Sequence, residues 1–148
     1  MPNMQTTVEK ILSANDTGET GGHQAGLLIP KDLLTLAFFP HLDSSVKNPR
    51  CVIDLRDAAG EEWTFNFIYY NNKWFGGTRN EYRITCMTEF IHRYSLKEGD
   101  VVIFIKPIGR FYELSYRRKD EPMKENPDGS KVLRLTGNWV VIDTDEFA

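Results

Sequence analysis

Between residues 51 and 70 apolar and polar side chains alternate on both sides of a short break, AAGE. CVIDLRD sets Cys51, Ile53 and Leu55 on one side, and EWTFNFIYY does the same with Trp63, Phe65, Phe67 and Tyr69. Successive strand residues point to opposite faces, so a period of two marks a sheet with one buried face. Two such runs around a glycine-containing turn predict a hairpin. VVIFIKPIG and RFYELSYRR read as a second hairpin, and KVLRLTG and NWVVID as closing strands. Residues 30–39 predict a short helix, with Pro30 near its start, Asp32 in its first turn and Pro40 as its stop. TCMTEFIHRYSL predicts another, capped by Thr85 or Thr88. The expectation is a mainly β (α+β) fold of about seven strands and two short helices. Closure manages the exposed edges of such a sheet, so an open barrel is favoured.

The chain of 148 residues is the size of one domain, taken as 1–148, with 41% hydrophobic and 26% charged residues. No apolar run is long enough to span a bilayer, and MPNMQTTVEK lacks the pattern of a secretory signal. Two cysteines, Cys51 and Cys86, suit a reducing compartment and are expected to be buried small hydrophobes. The expected location is the cytoplasm of a prokaryote, and the expected state a monomer. The net charge of −3 is unevenly placed, with +5 over residues 73–119 between flanks of −4 each. That pattern suits a local basic footprint, or ordinary scatter over solvated strands.

Two polar, glycine-containing segments stand out from the predicted scaffold. Residues 12–26 contain SANDTGETGGHQAG and residues 71–84 read NNKWFGGTRNEYRI. A nucleotide P-loop needs Lys and then Ser or Thr after its last glycine, but Leu27 and Leu28 follow Gly26. His23, His41 and His92 are widely separated and neither cysteine lies at ligand spacing from another donor, so no metal site is expected. Ser13, His23 and Asp16 compose a hydrolytic triad only on paper, without a nucleophile-elbow pattern. Asp54, Asp57, Glu61 and Glu62 offer acids for a magnesium nuclease, yet the acid-x-Lys expected on the next strand is absent. These acids read as solvent-facing groups of a hairpin and its turn.

Nucleic-acid readout makes use of both segments. The first offers Ser13, Asn15, Asp16, Thr17, Thr20, His23 and Gln24. The second offers Lys73, Trp74, Thr78, Arg79, Asn80, Glu81, Tyr82 and Arg83. Arginine grips guanine, Asn or Gln grips adenine, and carboxylates accept from the cytosine amine. Acids would only repel phosphates, but they suit the reading of cytosine. Glycines let backbone approach a duplex closely.

LSANDTGETGGHQAGLLIP followed by WFGGTRNEYRIT resembles the N-terminal effector domain of the EcoRII-type restriction endonucleases. SLKEGDVVIFIK, with Leu96, Gly99, Asp100 and Phe104, is more loosely similar to the plant B-three transcription-factor domain. The resemblance covers residues 12–106. It implies a seven-stranded DNA-binding pseudobarrel that clasps duplex DNA from the major groove, with 12–26 as N-terminal arm and 71–84 as C-terminal arm. It also implies a CC(A/T)GG-like target, with Arg79 on guanine. Asn15, Asp16, His23, Thr78, Asn80 and Glu81 are then candidates for other base edges, and Lys73 or Arg83 for phosphates. Gly77, Leu28 and Tyr82 depart from that family's lysine, tyrosine and basic residue. The implied role is recognition without catalysis and without a cofactor. Magnesium would belong to an associated C-terminal nuclease domain in a longer chain. A small magnesium-dependent endonuclease and a freestanding DNA-binding regulator are the alternatives.

Overall fold

The computed structural model describes residues 4–21, 26–106, 109, 111–120, 131–134 and 139–145. Nine strands form one sheet: β1 (Met4–Ile11), β2 (Leu27–Ile29), β3 (Arg50–Asp57), β4 (Glu62–Tyr70), β5 (Glu81–Thr85), β6 (Val101–Ile105), β7 (Tyr112–Arg117), β8 (Lys131–Arg134) and β9 (Trp139–Asp145). Their order is β2-β5-β4-β3-β7-β6-β1-β9-β8. Every neighbouring pair is antiparallel except β3 with β7. The 51–70 alternation forms the β3–β4 hairpin, paired from Arg50↔Ile68 to Arg56↔Glu62. Two strands beyond the expected seven are described, and β1 is not among the six runs that read as strands from the sequence. β2 is only three residues long, and β5 takes the end of the second polar segment. Neither is long enough to establish a period.

Among the described residues three short α-helices replace the expected two: α1 (Ala14–Thr17), α2 (Leu33–Phe38) and α3 (Thr88–Arg93). Asp32 is the cap of α2, accepting from the Thr35 backbone at 3.0 Å and from its hydroxyl at 2.9 Å. At α3 the expected caps are displaced: Thr85 belongs to β5, Met87 holds the cap position, and no side chain caps the helix.

The curled sheet encloses one apolar cluster. It includes Val8, Leu55, Phe65, Phe67, Ile84, Phe104, Leu114 and Trp139. Phe39, just past α2, stacks on Phe67 at a centroid distance of 5.0 Å and so plugs the interior. Trp139 on β9 donates its indole N–H to the Leu28 carbonyl on β2 at 2.8 Å. These strands lie towards opposite ends of the strand order, so this bond fastens the sheet across its seam.

Two expectations about burial are corrected. Cys51 is half-buried and Cys86 is exposed, both as free thiols; Cys86 ends β5 in a left-handed conformation, φ 70°, which turns it outward. Asp57 is not solvent-facing. It is buried beside the β3–β4 turn and accepts from the backbones of Ala59 and Glu61, the Trp63 indole and the Tyr94 hydroxyl. Burial pushes its carboxyl up, but these donors outweigh burial and hold it below 3.8. Glu61 pairs with Arg93 and Glu62 with Arg56, so the hairpin acids have partners within the protein.

Candidate nucleic-acid interface

The first arm leaves β1 at Leu12, whose backbone exchanges hydrogen bonds with the 99–100 turn (Leu12 N to Asp100 O, 2.8 Å; Gly99 N to Leu12 O, 2.9 Å). It then forms a capped helical turn rather than an open loop. Ser13 accepts from the Asp16 backbone at 3.1 Å, and Asp16 accepts from the Ser13 backbone at 2.9 Å. This reciprocal pair satisfies donors that α1 would otherwise leave unmet. Asp16 also meets Lys10 at 3.1 Å, with both side chains largely out of solvent. Thr17 is buried with its hydroxyl on the Ala14 carbonyl. Asn15 and Thr20 are exposed. Ser13, Asp16 and Thr17 thus shape the arm, and Asn15 and Thr20 lie on its outside. His23 and Gln24 lie outside the described residues.

The arm rejoins the barrel at Gly26, where β2 pairs with β5. A Cβ there would sit 2.3 Å from the Ile84 carbonyl oxygen, and φ is +88°. Glycine is required on both grounds.

The second arm rises from Asn71, a buried side chain at the end of β4. Asn71 and Asn48 bond reciprocally: each amide oxygen accepts from the other residue's backbone, at 2.6 and 3.1 Å. The Asn71 amide nitrogen donates to Ser44 and Val46 carbonyls. A 3-10 turn, Asn72–Phe75, follows. It places Trp74 outward at 64% exposure, with the Lys73 ammonium 5.3 Å from its ring. The turn folds back on itself: Lys73 N donates to Arg79 O at 2.9 Å, and Arg79 N to the Asn72 side chain at 2.6 Å. A Cβ on Gly77 would lie 2.7 Å from Asn72 Cγ, so a lysine at this position could enter only if Asn72 moved.

Thr78 is exposed at the far side of this turn, and the charged centre of the arm comes next. Glu81 receives Arg79 Nε on one oxygen at 2.9 Å and Arg83 on the other, at 3.0 Å from Nε and 2.8 Å from Nη2. Burial pushes the Glu81 carboxyl up, but the two guanidiniums prevail and hold it below 4.5. The Arg79 guanidinium also lies 3.7 Å over the Tyr70 ring. Its terminal amino groups make no hydrogen bond among the described residues. No buried side-chain nitrogen among those residues lacks a partner, so these groups face solvent. Arg83 continues to the first arm, donating Nη1 to Gly26 O at 3.0 Å. Asn80 is held from two sides, its backbone carbonyl by Lys31 at 3.0 Å and its amide oxygen by Tyr69 at 2.7 Å.

Both arms therefore meet at the β2–β5 edge. Lys31, Tyr69, Tyr70 and Asn72 escaped the sequence reading; the two tyrosines sit in a run that reads simply as strand. The basic middle segment does not act as one free face. Arg93 pairs with Glu61, Arg117 with buried Glu9 at 2.8 Å, and Arg118 with Asp100 at 3.6 Å.

The family model for the N-terminal region of the restriction endonuclease EcoRII matches residues 3–101. The chain belongs to the EcoRII N-terminal family. It is 42% identical over 91 residues to the Escherichia coli type II restriction enzyme EcoRII, covering 60% of this chain and 22% of that protein. It is 30% identical over 138 residues to auxin response factor 4 of Arabidopsis thaliana, covering 88% of this chain and 16% of the relative. The chain thus spans about a fifth or less of these relatives. In fold it is similar to the protein of the Arabidopsis FUS3-DNA complex, with a TM-score of 0.58, 21% identity, and coverage of 74% of this chain and 94% of that one. The EcoRII N-terminal family and this plant protein share the open pseudobarrel described here.

Proposed function

We propose that this chain is a double-stranded DNA recognition domain of a restriction endonuclease, reading a CC(A/T)GG-like site with both arms in the major groove. One observation carries the reading. Glu81 and the Tyr70 ring hold the Arg79 guanidinium in place while its terminal amino groups face solvent. A pre-set arginine fork matches guanine O6 and N7, a contact worth about 1–3 kcal/mol of discrimination. Glu81 Oε1, which receives only Arg79 Nε, keeps lone-pair capacity for a cytosine amine while the carboxylate charge is balanced by two arginines. Asn15, Thr78 and Asn80 read further edges, and Lys73 meets a phosphate. Recognition here involves no covalent step and no cofactor of its own. The domain acts as a monomer, and cleavage belongs to a magnesium-dependent nuclease domain elsewhere in a longer chain.

The test compares cognate and scrambled duplexes across a salt series, for wild type and Arg79→Ala. The expected result is loss of preference with an unchanged log–log salt slope. Loss of a phosphate contact would instead flatten that slope by about 0.9. Equal binding of both duplexes by wild type would overturn the proposal.

A further inference from the structure

Asn80 carries a constraint that its residue type does not reveal. Free asparagine grips adenine with both ends of its amide, accepting from N6 and donating to N7. Here the oxygen end is already engaged, because the Tyr69 hydroxyl donates to Asn80 Oδ1 at 2.7 Å. A phenol, whose oxygen lone pair is partly delocalised into the ring, donates to a carbonyl better than it accepts from an amine. The amide is therefore turned with its oxygen inward. Asn80 Nδ2 makes no hydrogen bond among the described residues, and no buried side-chain nitrogen among them lacks a partner, so this amino group faces solvent.

Tyr69 has little freedom to release its hold. It is buried and stacked face to face on Tyr82, with centroids 4.2 Å apart and planes inclined by 4°. Tyr82 in turn stacks on Phe67 at 5.7 Å. The Asn80 main chain is equally fixed, by Lys31 on its carbonyl and by the Arg79 contacts on its N-terminal side.

We propose that Tyr69 is a specificity-positioning residue: it turns the Asn80 amino group outward as a donor, selecting a base with a major-groove acceptor and rejecting cytosine. Guanine offers O6 and N7, and thymine offers O4. Cytosine N4 brings a second amine against the Asn80 amine, whereas adenine keeps a single contact at N7 and loses the N6 contact that an outward amide oxygen would accept. The inference rests on the DNA-recognition reading above.

The experiment measures competition binding with duplexes carrying each of the four bases at every position of the site selected by wild type. Wild type, Tyr69→Phe, Asn80→Asp and Asn80→Ala are compared. Tyr69→Phe keeps the stacked ring, and its melting curve checks that the barrel is intact. At one position wild type is expected to disfavour cytosine by about fivefold or more, the worth of one net hydrogen bond. Asn80→Asp should reverse that preference, and Asn80→Ala should abolish it. Tyr69→Phe frees the amide to turn and grip adenine at both N6 and N7, so adenine should rise in the ranking there while other positions keep theirs.

A uniform loss of affinity in Tyr69→Phe, with the ranking unchanged, would leave Tyr69 a packing residue and overturn the proposal. Asn80 variants that leave every ranking intact would overturn it too, with DNA recognition still standing. Absence of any base preference in wild type would overturn both.

Discussion

Arg83 Nη1 donates to the Gly26 carbonyl at 3.0 Å, so a side chain leaving the second arm holds the backbone at which the first arm ends. The same guanidinium binds Glu81 through Nε and Nη2, using three of its donors in one plane. Lysine has the charge but not the fork. Arg83→Lys should therefore uncouple the arms. It is expected to lower stability by about 1 kcal/mol, a Tm shift of about 2–4 °C, and to weaken DNA binding further. Thermal melting and binding titrations check this; wild-type values in both would show that charge alone suffices.

Gly26 and Gly21 separate close approach from conformational freedom. Both have positive φ, +88° and +74°, but only Gly26 faces a carbonyl oxygen, whereas nothing lies within 4 Å of a Cβ on Gly21. Gly21→Ala should cost about 1 kcal/mol in backbone strain. Gly26→Ala should cost about 3 kcal/mol or more, because β2 must also move off β5. Urea midpoints of the two variants read the difference directly.

The Asp57 cluster predicts opposite behaviour in acid and alkali. Its carboxyl lies below 3.8 in the folded protein, so its contribution is present above the unfolded value and lost as pH falls through the folded one. The stability deficit of Asp57→Asn should be full above about pH 5 and shrink in stronger acid. Tyr94 is raised from 10.0 to about 12, chiefly by its hydrogen bond to Asp57. Its contribution is present below pH 10 and lost as pH rises towards 12, a loss that Tyr94→Phe should lack. Melting temperatures measured from acid to alkali test both limbs.

Trp139→Phe keeps a buried aromatic ring but removes the donor to Leu28 O. The expected loss is about 1 kcal/mol. Hydrogen exchange should quicken in β2 while β6, flanked by β1 and β7, keeps its protection. Uniform acceleration across the sheet would mean that the bond does not act locally at the seam.

The long strands were legible because Ile53, Leu55, Phe65 and Phe67 repeat a period that burial imposes. Both arms were legible as polar interruptions, but their internal structure was only partly so. The Ser13-x-x-Asp16 spacing is a capping signature, overshadowed by the glycines that follow it. Asp57 read as a turn acid because its partner Tyr94 is 37 residues away and becomes a neighbour only when α3 packs. The meeting of the arms depends on β2 pairing with β5, and three residues of β2 carry too little pattern to specify a partner. Tyr69 followed the same logic: its ring belongs to the predicted strand face, while its hydroxyl acts on Asn80 across the β4–β5 connection.

The place of β1 between β6 and β9 has a consequence for how the molecule is made. Residues 3–101, the stretch that matches the family, contain both arms yet supply β1 with neither full neighbour. During synthesis β1 leaves the ribosome ahead of both arms, and it waits for residues 101–105 and then 139–145. Such long-range pairing is slow to form. The nascent chain thus exposes an unpaired β1 edge until its late strands arrive, and the interval before β9 emerges is when this domain is most open to chaperones and to aggregation.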